Sequence, residues 1–268
     1  VSGAHPRVAC QEGGGPEDPC VLDLRGRTFF DPADLVRVAV LTEDAVIAGR
    51  GARFLAPDDP DVARYLARMR VGEHLDRLGV PHQLPAVRAR DLGNRLVELH
   101  RFDEEAGLER LLDALVETYV ADQPQLVQPL YAALAEIAGN VVDHSGRQHG
   151  YLALQRYSRQ PRVEFAVGDS GIGLRARLSQ TIAVPDDRTA IVLAAQTHVT
   201  TTGQPGRGRG ISEVIGITGA HGGTVTLASG VARGVFTRGD LRPRLEVHIP
   251  GQPGTLAHVR LGLEEACG

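Results

Sequence analysis

Near residue 148 the apolar period of the chain switches from helical to alternating, and that switch leaves few folds open to it. Before the switch, "QPQLVQPLYAALAEIAGNVVDHS" repeats its apolar residues at helical spacing. After it, "GYLALQRYS", "RVEFAVGD", "GTVTLAS", "RLEVHIP" and "LAHVRLGL" read as strands. Helix, paired strands, glycine turn, helix and further strands predict an α+β chain, a two-layer α/β sandwich with helices on one face of a mixed sheet. The stretch "RLVELHRFDEEAGLERLLDALVETYV", which begins near residue 93, is also expected to be helical.

Ahead of these elements lies a shorter α/β pattern. "VLDLRG" alternates like a strand, and Asp31 with Pro32 cap a helix carrying Leu35, Val38 and Leu41. "ARFLAP" suggests a second strand, and one amphipathic helix is expected from Asp59 until Gly79 closes it. The expected organisation is a flexible Gly/Pro/Glu-rich leader over 1–19, a small α/β domain over 20–90, a helical connection over 91–124 and a main domain over 125–268.

With 42% hydrophobic and 23% charged residues the chain has material for a real core. A net charge of -4 gives no argument for a nucleic-acid partner. No apolar run approaches the roughly 20 residues of a membrane span, and the first residues lack a secretory signal's apolar segment, so a cytoplasmic protein is expected. Cys10, Cys20 and Cys267 form no CxxC pair and are expected to be bystanders, in neither a disulfide nor a zinc site. All 29 basic residues are arginine, which excludes a P-loop lysine, a Schiff-base lysine and the lysine of eukaryotic-type kinases.

Within "EIAGNVVDHS", Glu136, Asn140 and His144 follow one another at four-residue steps and so share one helix face. Leu134, Ile137, Val141 and Val142 flank them, so the polar stripe is expected to be half buried. Such a stripe needs a partner, whether another side chain, a metal ion or a ligand. Downstream, "VEFAVGDSGIGL" leaves a strand and enters Asp169-Ser-Gly171-Ile-Gly173. A carboxylate fixed at a strand end, with glycines that admit a flat ligand, suits an adenine amino group, although an Asx turn has the same appearance. "TTGQPGRGRGISEVIGI" then opens a helix behind Gly206, Gly208 and Gly210, where backbone N–H groups with Arg207 and Arg209 can cradle phosphates.

The order of these elements, an ExxxN helix, a DxGxG turn after a strand and a GxGxG loop opening a helix, resembles the GHKL ATPase superfamily. Its members include DNA gyrase, the ninety-kilodalton heat-shock chaperones, histidine kinases and mismatch-repair ATPases. The resemblance covers residues 125 to about 264 and implies the Bergerat nucleotide-binding fold with ATP and Mg²⁺. It implies that Asn140 binds Mg²⁺, that Glu136 is the activating base and that Asp169 accepts from the adenine amino group. Gly171 and Gly173 would shape the adenine pocket, Gly206, Gly208 and Gly210 would form the lid with Arg207 beside it, and Thr255 of "PGT" would support Asp169.

Within that superfamily, "EIAGNVVDHS" most resembles the bacterial anti-sigma-factor serine kinases, and residues 20–90 are loosely similar to STAS-type domains, the usual partners of such kinases. His100 in "ELHRFDEEAG" lacks the proline of a phosphoacceptor helix and is expected to be a helix-surface histidine. The resemblance implies an ATP-binding regulatory protein with a protein partner. On that resemblance it would transfer the γ-phosphate to a partner's hydroxyl, hydrolyse ATP slowly, or act as a nucleotide-dependent binding switch. Dimers are common among such proteins, yet no heptad seam here demands one.

Overall fold

A computed structural model describes residues 8–10, 18–87, 96–103, 108–109, 112–113, 124–147, 149–158, 160–196 and 210–262. The chain begins with β1 (Cys20–Asp23), α1 (Pro32–Ile47) and β2 (Ala52–Leu55), and the two strands pair in parallel. Asp31 accepts the Asp34 N–H while the Asp34 carboxylate faces the Asp31 N–H, and Pro32 takes the first helical position, so α1 starts where its sequence signals place it. Asp59 caps α2 (Pro60–Arg68), and a separate α3 (Val71–Arg77) follows.

The single helix expected over 59–79 is therefore two. Arg70 sits in the left-handed region at φ 61°, and the break leaves the Met69 carbonyl free to accept the Leu99 N–H from the next strand at 3.1 Å. A tertiary hydrogen bond has overridden helical periodicity there.

That strand, β3 (Leu96–Asp103), overturns the helical reading of "LVELHRFD". It pairs antiparallel with β4, and its side chains alternate between layers: Leu99 is buried toward α1 and Phe102 toward the helices on the other face. His100 is accordingly a strand residue opposite Leu152, not a helix-surface histidine.

The main unit continues with α4 (Pro124–His144), β4 (His149–Tyr157), β5 (Arg162–Gly168), α5 (Gly173–Leu178), α6 (Asp187–Ala195), α7 (Gly210–Ala220), β6 (Thr224–Thr237) and β7 (Arg244–Gly262). The five-stranded sheet has the order β3-β4-β5-β7-β6, with every neighbour antiparallel, where a mixed sheet was expected. "RLEVHIP" and "LAHVRLGL" are one strand, β7, its register shifted twice against β6 around Gly230.

Both faces of this sheet are covered. Leu152, Leu154, Val163, Phe165 and Val167 face α4 and α7, packing against Leu130, Leu134, Ile137, Val214 and Ile215. Tyr151, Ala153, Ala166, Ala228 and Leu256 face the other way, into a core built from α1, α2, α3 and β1. Small residues on that second face bring α1 close, with Val36 lying over Gly168. The sheet and the helices of the 124–262 segment form two layers, and residues 20–87 add a third that shares a core with the other face of the sheet.

The N-terminal segment is tied into this third layer. Val8, read as leader, is buried, and its carbonyl accepts from Arg37 Nε on α1. Cys10 and Cys20 form a disulfide, contrary to the expectation that they are bystanders. Anchoring Val8 on α1 brings Cys10 beside the first residue of β1, which sequence spacing could not indicate. Cys267 lies outside the described residues.

Candidate active site

The polar stripe of α4 is half buried, as its spacing predicts, and Asn140 Nδ2 donates to Glu136 Oε1 at 3.3 Å. That orientation leaves Asn140 Oδ1 as the amide atom able to meet a cation. A hard oxygen donor beside a carboxylate on an otherwise apolar helix fits Mg²⁺, which takes few protein ligands. His144, one turn further on, has Nδ1 3.2 Å from the Arg177 guanidinium of α5.

At the end of β5, Asp169 is 3% exposed. Its N–H donates to the Thr255 carbonyl at 3.0 Å, which extends the β5–β7 ladder by one rung, and its Oδ1 accepts the Gly171 N–H at 2.7 Å. Burial pushes the carboxyl up to about 6, while the backbone N–H groups of Gly171 and Thr255 pull the other way. Thr255 lies beside the aspartate, and what it contributes there is backbone.

Two glycines let the chain close around this carboxylate. A Cβ on Gly171 would collide with the Ser145 carbonyl, and Gly254, at φ 58°, would drive one into Asp169 itself. Gly173 follows, against Ser229. Ser229 Oγ accepts the Leu174 N–H at 3.0 Å and donates to the Gly254 carbonyl at 2.7 Å, so one hydroxyl ties the start of α5 to β7.

The turn is also fastened to α4. Ile172 N–H donates to the Ser145 carbonyl at 2.9 Å, and Arg147 Nε donates to the Ser170 carbonyl at 3.3 Å. Five residues at 1.5 Å rise separate Asn140 from Ser145, about 7 Å along the helix axis. Asn140 is thus within two helical turns of the Ser145 carbonyl that anchors the Asp169 turn, with Gly171, Gly173 and Thr255 around that turn and Glu136 one further turn along α4. Gly210, at φ 68°, opens α7, which packs beside α4. Gly206, Arg207 and Gly208 lie outside the described residues.

Sequence reasoning missed Ser145, Arg147, Ser170, Ser229 and Gly254. "DSGIG" and "PGT" flank Ser170 and Gly254, so a search of motif neighbours would have reached those two; the serine-to-backbone ties leave no pattern in sequence. Among the described residues, Asp31, Glu164 and His258 alone form a group with metal-ligand spacing. Arg162 Nε at 2.6 Å and Arg260 Nε at 3.4 Å already neutralise Glu164, and His258 Nε2 is 3.1 Å from it, so this is a closed ion-pair cluster on the α1 face of the sheet. Among the described residues, no helix is long and apolar enough to cross a membrane.

Comparison with curated proteins found no match to the chain. Comparison with protein families matches residues 125–259, about half of the sequence, running from α4 through most of β7 and taking in the Glu136–Asn140 stripe, the Asp169 turn and Thr255. The chain belongs to the family of histidine kinase-, DNA gyrase B- and HSP90-like ATPases.

Proposed function

We propose that the site holds ATP with Mg²⁺ and that the protein is a regulatory phosphotransferase acting on the hydroxyl of a partner protein, with slow hydrolysis when water takes the partner's place. One observation carries the reading: a buried carboxylate at a strand end, packed by glycines and tied by backbone hydrogen bonds to the helix that carries Glu136 and Asn140. Asp169 would accept from the adenine amino group inside the turn formed by Gly171 and Gly173. Asn140 would hold Mg²⁺, which neutralises charge between the phosphates. Glu136, next to Asn140, would take the proton of the attacking hydroxyl. Backbone amides at Gly206, Gly208 and Gly210, with Arg207 and Arg209, would complete the phosphate cradle. The serine-kinase assignment rests on the Glu136, Asn140 and His144 spacing, and residues 20–87 are the natural place for partner recognition.

A second reading, a nucleotide-dependent binding switch, is favoured by one contact: α1, outside the matched segment, bonds directly to the Asp169 turn through Glu43 and Ser170. Binding of ATP would then alter the layer that α1 anchors.

The test is calorimetric titration of ATP and Mg²⁺ into the wild type, Asp169→Asn and Asn140→Ala, with the γ-phosphate followed in the same samples. Wild-type binding that weakens at least about tenfold in both variants is expected, each loss being on the order of 1.4 kcal/mol or more. In Glu136→Gln, turnover should vanish while binding persists. A folded wild type that binds no ATP would overturn the reading, and turnover unchanged by Glu136→Gln would leave the switch.

A further inference from the structure

Behind the site, on the α1 face of the sheet, a single carboxylate gathers three donors. Glu43 is 4% exposed, and its oxygens accept from His149 Nε2 at 2.9 Å, Tyr151 Oη at 2.5 Å and Ser170 Oγ at 2.6 Å. Ser170 is the residue between Asp169 and Gly171. A side chain from a helix outside the matched ATPase segment thus reaches the turn that carries the base-recognising carboxylate.

Glu43 is well fixed for holding something else. Burial alone would raise its carboxyl, but the hydrogen bonds from His149, Ser170 and Tyr151 bring it down to about 2, so it stays ionised and accepting. Its neighbours are braced in turn. Tyr151 Oη also receives Arg77 at 3.0 Å, Arg77 reaches His74 Nδ1 at 2.8 Å, and His74 Nε2 meets Thr42 Oγ1, one residue before Glu43, at 2.9 Å. The Ser170 carbonyl is held from the α4 side by Arg147. Ser170 is thereby gripped at its hydroxyl by the N-terminal layer and at its carbonyl by the segment after α4.

We propose that Glu43 is a positioning residue of the nucleotide site. Through Ser170 it fixes the direction of the Asp169 carboxylate and so sets the preference for adenine over guanine. The inference rests on reading Asp169 as the group that accepts from the base. Adenine carries an amino donor where guanine carries a carbonyl, so a carboxylate aimed at that position attracts the first and repels the second. Releasing Ser170 lets the turn rotate within its remaining tethers. Discrimination falls while the phosphate contacts persist.

The experiment measures Kd for Mg-ATP and Mg-GTP, by calorimetry on the full chain, in the wild type, Ser170→Ala, Glu43→Ala and the double variant. Each single substitution is expected to weaken ATP five- to tenfold and leave GTP unchanged, and the double variant is expected to lose no more than either single one, because both cut the same link. Should Glu43→Ala fail to fold once His149 and Tyr151 lose their shared acceptor, Ser170→Ala decides alone, since it leaves those two bonds intact. An unchanged ATP-to-GTP ratio in Ser170→Ala overturns the proposal, as does an equal loss for both nucleotides. Absence of ATP binding by the wild type would instead remove the site reading on which it rests.

Discussion

Keeping Asp169 ionised in its buried position costs free energy. Its carboxyl is pushed from about 3.8 to about 6, so the folded state holds the proton more tightly than the unfolded chain does. Stability from this group is complete below its ordinary value and is lost as pH rises through about 6. Two pH units correspond to about 3 kcal/mol. The wild type should therefore lose about that much relative to Asp169→Asn between roughly pH 4 and pH 7, as measured by urea unfolding at each pH. A difference independent of pH would show that the carboxyl carries no such burden. At this scale the sequence was informative where chemistry repeats with a helical or turn spacing: Glu136, Asn140, Asp169, Gly171 and Gly173 were all legible. Ser229 and Glu43 were not, and Ser170 was visible only as a member of the turn motif, not by its role. Their partners lie 25 to 127 residues away, and a hydroxyl donating to a distant carboxylate or carbonyl leaves no local pattern.

Among the elements, α1 shows how a helix can be read correctly from its ends while its packing stays unread. Its start was legible from Asp31 and Pro32. Its surroundings were not inferred, although Leu35, Val36, Val38, Ala39, Val40 and Leu41 lie on all sides of it and are all buried. Apolar residues around the whole circumference mark a helix enclosed between layers. Within that apolar surface Arg37 is 3% exposed and bonds to the carbonyls of Val8, Pro250 and Gly251 and to Gln252 Oε1. This guanidinium fastens both the N-terminal segment and the middle of β7 to α1. Arg37→Met removes the donors and leaves two buried acceptors, the Val8 carbonyl and Gln252 Oε1, unsatisfied, so a loss on the order of 3 kcal/mol is expected in denaturant unfolding. A loss below about 0.5 kcal/mol would mean that water reaches these acceptors. β3 was misread for a related reason. "LVELHRFD" suits either period, and an open edge on β4 together with the Met69 carbonyl decided for the strand.

For the molecule as a whole, the question is whether the family segment stands alone. A composition break near residue 90 suggests two separable domains, yet the core of residues 20–87 continues into Tyr151, Ala153, Ala166, Ala228 and Leu256 on the sheet. A chain cut at residue 91 would expose that apolar face and strip His149, Tyr151 and Ser170 of their shared carboxylate. An apolar face of this kind, left in water, favours association. The 91–268 fragment is therefore expected to aggregate or to unfold without cooperativity, bind a hydrophobic dye and lose ATP affinity. Residues 1–90 supplied in trans should restore part of each property, because the interface is a core surface and not a linker. A fragment that stays monomeric, melts cooperatively and binds ATP as the full chain does would show that α1 only rests on the sheet. In that case the three layers are two domains in contact, and the Glu43–Ser170 bond would form by docking instead of by shared folding.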